Sequence, residues 1–513
     1  MKYFVVLLTW ILSFSAYAQV SNSNAAPDEL HPNVRGALCY IQADDQVVFI
    51  KEVITKRFSL PGGTIEKGED PRLTAKRETW EETGIVVNVG DVLTKTDTAI
   101  IYSCEPQSGI IAFSQRGNNH GFHILPSWFA PDFSIESAIT FIAYPSLILP
   151  NTYRYPDQFE QQVLNHSVVN SPIKFIDSAL SSAPLIHQYE LPYIEQIQDQ
   201  LNSLPHAAYT NLLMLLQGFN YLFSAYSLLI LLPIVMLHFG MKRFAQLTFL
   251  ASLTATIAIA LQFSLKFARP FVYQPSLALV NTLGFGTPSL GAALSVVLIG
   301  YMHYLCKQKR SEKSTVCAIG AVVLMLLQGS ASVVLGMQFI TDVLFGYAMG
   351  LLLLWHYIRL NESRWIAWQT ISIHPLFWCV WSVVLTGIAA YSHIIQMGKI
   401  AALCWSLTLI MAALKYIRGE MFNPNASSRF EVEHSDSIEG LVSLRVFVSW
   451  IGSAALLVGM KLLIANVQLS SFESYYIQCG LWLAVVIFVF LNTQLHLAFC
   501  KFGRTEAVEN NNY

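Results

Sequence analysis

Pro61-Gly-Gly-Thr-Ile-Glu-Lys-Gly-Glu-Asp-Pro-Arg-Leu-Thr-Ala-Lys-Arg-Glu-Thr-Trp-Glu-Glu-Thr-Gly-Ile85 decides how the first part of this chain folds. Physically it is a glycine-rich loop, a short helix and a sharp exit. Asp70 is placed to cap the helix N-terminus, with Pro71 at the first helical position, where its missing N–H costs nothing. Gly84 stands where a left-handed C-terminal residue is wanted. Between them Glu78, Glu81 and Glu82 occupy positions i, i+3 and i+4, which puts three carboxylates on one helical face. Like charges so close repel, so a helix does not keep them together for stability. A hard divalent cation resolves the conflict, because Mg²⁺ takes oxygen ligands and shares them with substrate phosphates.

The stretch resembles the Nudix box, G-x5-E-x7-R-E-U-x-E-E-x-G-U, where U is apolar. Gly63, Glu69, Arg77, Glu78, Glu81, Glu82, Gly84 and Ile85 fall in register, and Thr79 in the first apolar slot is the one departure. Its methyl can still face the sheet, so a small packing penalty is expected there. The resemblance implies an α/β/α Nudix sandwich within residues 33–205 and hydrolysis of a nucleoside diphosphate linked to another moiety, dependent on Mg²⁺ or Mn²⁺. It makes Glu78, Glu81 and Glu82 metal ligands, with the Gly63 carbonyl a further one. Glu81, Glu82, Arg77 and Glu69 become the catalytic set, in which Arg77 pairs with Glu69 and holds the loop against the helix. The general base is a box glutamate or a carboxylate on a later loop, with Glu105, Asp132, Glu136 and Glu160 as candidates.

Upstream of the box, Val34–Gln42, an Ala43-Asp44-Asp45-Gln46 turn and Val47–Val53 read as a β-hairpin. The N-terminus reads as a cleaved secretory signal: Lys2, an apolar stretch from Val5 to Phe14, and Ala16-Tyr17-Ala18 before Gln19. Residues 19–32 are polar and read as a linker. Downstream, short strands run to about residue 115, residues 105–131 suggest a long loop, and residues 157–204 suggest mainly helix. Eight cysteines show no paired spacing, which excludes a zinc knuckle or a dense disulfide framework. Cys39 and Cys104 are the two in the soluble part, and an oxidising compartment would let them pair if the fold brings them together.

The remainder is different in kind. The chain of 513 residues is 54% hydrophobic and only 12% charged, against a usual charged share of about 25%, and its mean hydropathy is +0.46. The net charge of −2 points to no nucleic acid or other polyanionic partner. Nine long apolar segments are expected as membrane helices, at about 217–240, 244–265, 288–306, 315–335, 342–360, 366–390, 399–417, 443–466 and 474–499. Lys242, Arg243, Lys307, Lys309, Arg310, Lys313, Arg359, Arg364, Lys415, Arg418, Arg429, Lys501 and Arg504 fall on one side of this arrangement. The opposite loops hold little beyond Lys266, Arg269 and Lys399. The bias places the N-terminal domain outside and the C-terminus in the cytoplasm, in agreement with a secretory signal. A bacterial inner-membrane protein with a periplasmic soluble domain is expected.

Three short signatures stand at outer span ends: Lys266-Phe-Ala-Arg-Pro270, Thr287-Pro-Ser-Leu-Gly291 and Ser332-Val-Val-Leu-Gly-Met-Gln-Phe-Ile-Thr-Asp342. Their order resembles the phosphatidic acid phosphatase type 2 superfamily, with motifs K-x6-R-P, P-S-G-H and S-R-x5-H-x3-D, over residues 217–390. Arg269, Pro270, Pro288, Ser289 and Asp342 match. Gln262 occupies the lysine slot, Gly291 replaces the histidine acid, Ala331 and Ser332 replace Ser-Arg, and Gln338 replaces the histidine nucleophile. Glutamine forms no phosphohistidine and glycine has no proton to give. A retired phosphatase fold follows, serving as an anchor or lipid-binding platform, with Arg269 either paired with Asp342 or a phosphate-binding remnant. His303, His356 and His374 lie toward the inner face or within helices and do not substitute. Residues 391–513 add three further membrane helices.

The expectation is therefore a membrane-tethered, periplasm-facing hydrolase acting on a diphosphate-containing small molecule or a lipid-linked diphosphate. Two alternatives remain: a bifunctional hydrolase and lipid phosphatase, and a sensor that binds phosphate ligands without turnover.

Overall fold

The computed structural model describes residues 34–510 except 116–120, 165, 167, 223–226, 281, 309–313, 364, 419–435 and 468–469. The expected signal segment, the linker at 19–32, and Lys309, Arg310, Lys313, Arg364 and Arg429 lie outside the described residues. What is described is an N-terminal α/β region with mixed sheets followed by a helical region.

The hairpin forms as expected, because Asp44 and Asp45 adopt the left-handed conformation (φ 46° and 61°) that a two-residue turn needs. It joins β2 (Gln42–Ala43) to β3 (Gln46–Glu52), after β1 (Gly36–Tyr40). β4 (Phe58–Ser59) pairs with β3, and β5 (Gly62–Thr64) runs antiparallel to β1. The box helix, α1 (Pro71–Thr83), follows with the expected caps. Asp70 Oδ1 accepts from the Arg72 N–H at 2.9 Å, and Gly84 takes φ 75° and donates to the Trp80 carbonyl at 2.8 Å.

β6 (Val87–Lys95) and β7 (Ala99–Pro106) complete a four-stranded sheet of order β5-β1-β7-β6, with β1 and β7 parallel. α1 packs on this sheet through Ala75, which sits in one core with Cys39, Ile100 and Val87. Adjacency of β1 and β7 brings Cys39 and Cys104 to a Cα–Cα distance of 5.4 Å, and they are disulfide-bonded.

Two stretches differ from expectation. The predicted loop at 105–131 contains β8 (Ile110–Phe113) and β9 (His123–Ile124), the latter pairing with β10 (Ser137–Ala143), which in turn pairs with β3. The predicted helical run at 157–204 is α-helical only in α2 (Phe159–Val163) and α3 (Leu185–Asn202), with a 3-10 turn at Leu180–Ser182. Between them β11 (Asn170–Ser171) and β12 (Ile173–Ile176) add to β2 and β8 as parallel strands. Partners 60 or so residues upstream (Ile173 beside Ile110) decided the conformation, and local propensity did not.

After α4 (His206–Leu222), seven helices among the described residues are long and apolar enough to cross a membrane, in place of the nine expected. The segment α5 (Ser227–Leu265) is broken at Gly240, whose φ 81° and ψ 171° are not helical and are open to glycine, so its two arms correspond to the first two expected spans. The helix at 315–335, α8 (Ser314–Val334), falls short of that length over its described apolar part, Ala318–Val334. The short α6 (Pro270–Tyr273) follows α5, and α7 (Leu290–Gln308) precedes α8. α9 is Ile340–Glu362, α10 Trp368–Ile371, α11 Pro375–Ser392, α12 Ile395–Arg418, α13 Asp436–Asn466 and α14 Ser471–Asn510. The span expected at 366–390 starts late, because Pro375 opens α11 under a His374 cap.

The α/β region rests on one end of the helical region. Val53 and Ala138 pack on Ile395, Phe133 on Phe285, and the amide of Gln478 donates to the Ile54 carbonyl at 3.3 Å. The other end gathers Lys242 and Arg243, which donate to Gln369 (2.6 Å) and Gln308 (2.8 Å). Lys307 and Arg359 close the last turns of α7 and α9 on that same end.

Candidate functional site

Arg77 organises the box. Its Nε and Nη2 each donate to Glu69 at 3.0 Å, and Nη1 reaches Glu81 at 2.8 Å and Glu78 at 2.9 Å. One guanidinium therefore clasps the loop to the helix, as a bidentate fork can and an ammonium cannot. Glu78 and Glu82 turn inward and are nearly buried, and Glu82 Oε2 accepts from the Gly62 N–H at 2.8 Å. Gly63 lies directly against Glu78, since a Cβ there would overlap the carboxylate. The glycine is needed because the loop backbone must pass this close to the helix.

Thr79, in the slot where the family pattern has an apolar residue, is fully buried and its hydroxyl has no partner among the described residues.

Burial pushes Glu78 up to about 7, against the opposing pull of Arg77. Glu82 is held well above the ordinary carboxylate range, again by burial, with the Gly62 N–H opposing. Among the described residues no three His, Cys, Asp or Glu side chains converge as a ready-made metal cage. The reason is visible: Glu81 and Glu78 are drawn to Arg77, and Glu82 to the Gly62 amide. The donor set nonetheless suits a hard divalent cation. Buried carboxylate oxygens crowd beside a loop cleared of side chain at Gly63, and a cation would relieve the desolvation that raises Glu78 and Glu82.

Of the four later carboxylates considered, the structure brings Asp132 and Glu136 to the box. The Asp132 N–H donates to the Glu81 carbonyl at 2.9 Å, and Glu136 is among the charges acting on Glu78, Glu82 and Asp132. Glu105 and Glu160 are not among them; Glu105 lies on β7 opposite Asn88, and Glu160 on α2. Asp132 is raised to about 6 by burial and by Glu136 and Glu81. Glu136 is raised too, by the protein mass around a side chain that still meets solvent at the cleft mouth.

Sequence reasoning missed Glu52 and Arg154. They form an ion pair beside Glu82, and Thr55 donates to the same glutamate. Nothing in the local pattern around Tyr153-Arg154-Tyr155 marks that arginine, because Glu52 is 102 residues away.

In the helical region, Arg269, Gln338 and Asp342 come together with Thr287 and Gly286. Arg269 Nε donates to the Gly284 carbonyl (3.0 Å) and Nη1 to the Met337 carbonyl (2.7 Å). Gln338, with its amide oriented by these neighbours, accepts from Arg269 and donates to the Gly286 carbonyl and to Asp342. Asp342 also accepts from the Phe339 N–H (2.9 Å) and from the Thr287 hydroxyl. The expected direct ion pair of Arg269 with Asp342 is replaced by this bridge. Gln262, in the lysine slot, donates to the Pro288 carbonyl at 2.8 Å, while Lys266 is exposed toward the α/β region.

The cluster is sealed by α3. His187 stacks on Phe339 at 3.8 Å, and Glu190 accepts from the Thr341 N–H at 3.3 Å. Gln198 donates to the Leu277 and Val334 carbonyls.

Residues 32–129 match the family model described as the NUDIX domain, and residues 245–366 match that of the PAP2 superfamily. The chain joins a NUDIX domain to a PAP2 superfamily domain. It is similar to a MutT-like protein of Streptomyces ambofaciens, at 30% identity over 98 residues, covering 18% of this chain and 60% of that protein. It is also similar to an RNA pyrophosphohydrolase of Roseobacter denitrificans, at 44% identity over 45 residues, covering 9% of this chain and 28% of the other. This chain thus spans less than two thirds of the length of either curated relative. Among solved structures, a PAP2 type phosphatidylglycerolphosphate phosphatase from Bacillus subtilis aligns at 21% identity with a TM-score of 0.29, over 37% of this chain and 99% of that one.

Proposed function

We propose that this chain is a metal-dependent pyrophosphohydrolase, with its NUDIX site on the outer face of a bacterial inner membrane and a PAP2 domain that no longer turns over. The observation that carries the reading is the complete glutamate set, Glu78, Glu81 and Glu82, clasped by Arg77 and Glu69 and faced by Asp132 and Glu136. Glu78, Glu81, Glu82 and the Gly63 carbonyl would hold Mg²⁺ or Mn²⁺. When bound, that ion polarises phosphoryl oxygens and makes water a better nucleophile. Arg77 and Glu69 fix the helix against the loop and so set where the carboxylates point. Glu136 or Asp132, both raised above the ordinary carboxylate range by burial, would accept the proton of the attacking water.

Support for an outward site is twofold. The α/β region sits at the helix ends remote from Lys242, Arg243, Lys307 and Arg359, and the Cys39–Cys104 disulfide suits an oxidising compartment. Support for a silent PAP2 domain is that Gln338 and Gln262 are committed to the protein itself, that Gly291 carries no acid, and that α3 covers the cluster.

The test is phosphate or monophosphate release by the full chain from nucleoside diphosphate derivatives, alkyl diphosphates and triphosphate-ended RNA. Release should need a divalent metal and vanish in Glu82→Gln. Release that survives both EDTA and Glu82→Gln would instead show a working PAP2 site and overturn the reading.

A further inference from the structure

The loop that carries Asp132 and Glu136 is also the loop on which the NUDIX domain stands. Its three central residues are anchors. Phe133 packs edge-on against Phe285 at 5.6 Å, the Ser134 hydroxyl accepts from the Gly284 N–H at 2.9 Å, and Ile135 packs among Ile259, Ile394 and Met397. Asp132 and Glu136 flank these anchors beside the box, the Asp132 N–H donating to the Glu81 carbonyl and Glu136 acting on Glu78. The outer ends of the membrane helices are therefore one wall of the hydrolase cleft.

Two basic residues stand on that wall. Lys266 follows the last residue of α5 and His393 follows the last of α11, both in the left-handed conformation (φ 52° and 54°). Neither is glycine, so each holds a side chain where a helix C-terminus ordinarily has none. Both side chains are exposed, and among the described residues neither closes an ion pair. Yet both act on Asp132, and His393 is the foremost charge acting on Glu136. The backbone places them there: Ile394, next to His393, packs with Ile135, and the carbonyl of Phe267, next to Lys266, accepts from the N–H of Gly286, next to the Phe285 on which Phe133 packs. Their neighbours are apolar and exposed: Leu265 (40%) and Phe267 (37%) flank Lys266, and Tyr391 (75%) lies beside His393. Basic side chains ringed by apolar ones at the ends of spanning helices sit at headgroup level, where an amphiphile presents its charged end.

We propose that Lys266 and His393 complete the NUDIX site, binding the diphosphate of a substrate whose long apolar chain stays in the bilayer. The proposal rests on the pyrophosphohydrolase reading and specifies its substrate class. Glu78, Glu81 and Glu82 would hold the ion that neutralises one phosphoryl group, and Lys266 and His393 would take non-bridging oxygens of the other. The cut leaves a monophosphate on each side of the anhydride oxygen, with water supplying the hydroxyl to one and the proton to the other.

The test uses the full chain in vesicles with Mg²⁺ and two non-hydrolysable probes: a dodecyl methylenebisphosphonate and an adenosine methylenebisphosphonate. Dissociation constants are measured for the wild type, Lys266→Asn, His393→Asn, the double variant and Lys266→Arg. Asparagine keeps the left-handed backbone, so loss of fold is not at issue. Each asparagine should weaken dodecyl-probe binding by about tenfold, as expected for one charge-assisted contact, and Lys266→Arg should retain it. Unchanged binding in the double variant overturns the proposal, as does tighter binding of the adenosine probe than of the dodecyl probe. If the wild type hydrolyses a soluble diphosphate with Mg²⁺ while the cation variants bind normally, only this inference fails. If it neither binds a probe nor hydrolyses any diphosphate, the pyrophosphohydrolase reading fails with it.

Discussion

Gln338 separates Arg269 from Asp342, accepting from Arg269 Nη1 at 2.5 Å and donating to Asp342 Oδ2 at 3.1 Å. A neutral amide thus occupies the slot where the PAP2 pattern has a nucleophilic histidine, and it satisfies two buried charges at once. Gln338→Ala removes one hydrogen bond each from Arg269, Asp342 and the Gly286 carbonyl, and should cost about 1–3 kcal/mol. Thermal unfolding in detergent reads this. Gln338→His should not restore metal-free release of phosphate from a lipid phosphate, because Gly291 supplies no acid and Ser332 no guanidinium; turnover above background in EDTA would contradict the assignment.

Glu82→Gln should lower kcat/KM for any diphosphate substrate by at least about a thousandfold, since a ligand to a charge-stabilising ion is lost. Arg77→Lys keeps the charge but loses the fork to Glu69, and a drop of about 10–100-fold is expected. Gly63→Ala should resemble Glu82→Gln, because the added methyl overlaps the Glu78 carboxylate. Steady-state kinetics on the full chain decide all three.

Stability without metal should fall as pH rises through about 7. Glu78 has its folded pKa raised from 4.5 to about 7 by burial. Its contribution is fully present below the unfolded value and is lost as pH climbs through the folded one. Asp132, raised to about 6, acts in the same sense. His187, lowered to about 4 by burial, acts oppositely, its contribution being lost as pH falls from 6.5 toward 4. Melting in EDTA at pH 6 and pH 8, for the wild type and Glu78→Gln, isolates the first effect. The variant should melt with less loss at pH 8, and metal affinity in the wild type should rise over the same interval as the carboxylates shed protons.

Thr79→Val should stabilise the NUDIX domain by about 1 kcal/mol. The Thr79 hydroxyl is buried without a partner, and valine fills the same space without it. A fall in melting temperature would show that the hydroxyl is engaged.

Breaking the Cys39–Cys104 link with Cys104→Ala should cost about 2–4 kcal/mol, because the bond closes a loop of separation 65. Mass shift after alkylation, with and without reductant, checks the bond, and thermal unfolding checks its value.

The sequence by itself determined the box. Asp70, Pro71 and Gly84 act within one helical turn of themselves, and Glu78, Glu81 and Glu82 share a face because of the helix period, so both are legible without a fold. The apolar spans were legible for the same reason, although the break at Gly240 leaves two of them in one segment, and the described apolar part of α8 is too short to count. Tertiary structure alone decided what surrounds the box. It chose Asp132 and Glu136 over Glu105 and Glu160, paired Arg154 with Glu52, and turned residues 170–176 into strands by offering them β2 and β8. It laid α3 over the PAP2 cluster and brought Lys266 and His393 near enough to act on Asp132, and His393 on Glu136. Each of these joins residues many tens to hundreds of positions apart. Such contacts depend on how two domains pack, and no local period or cap encodes that.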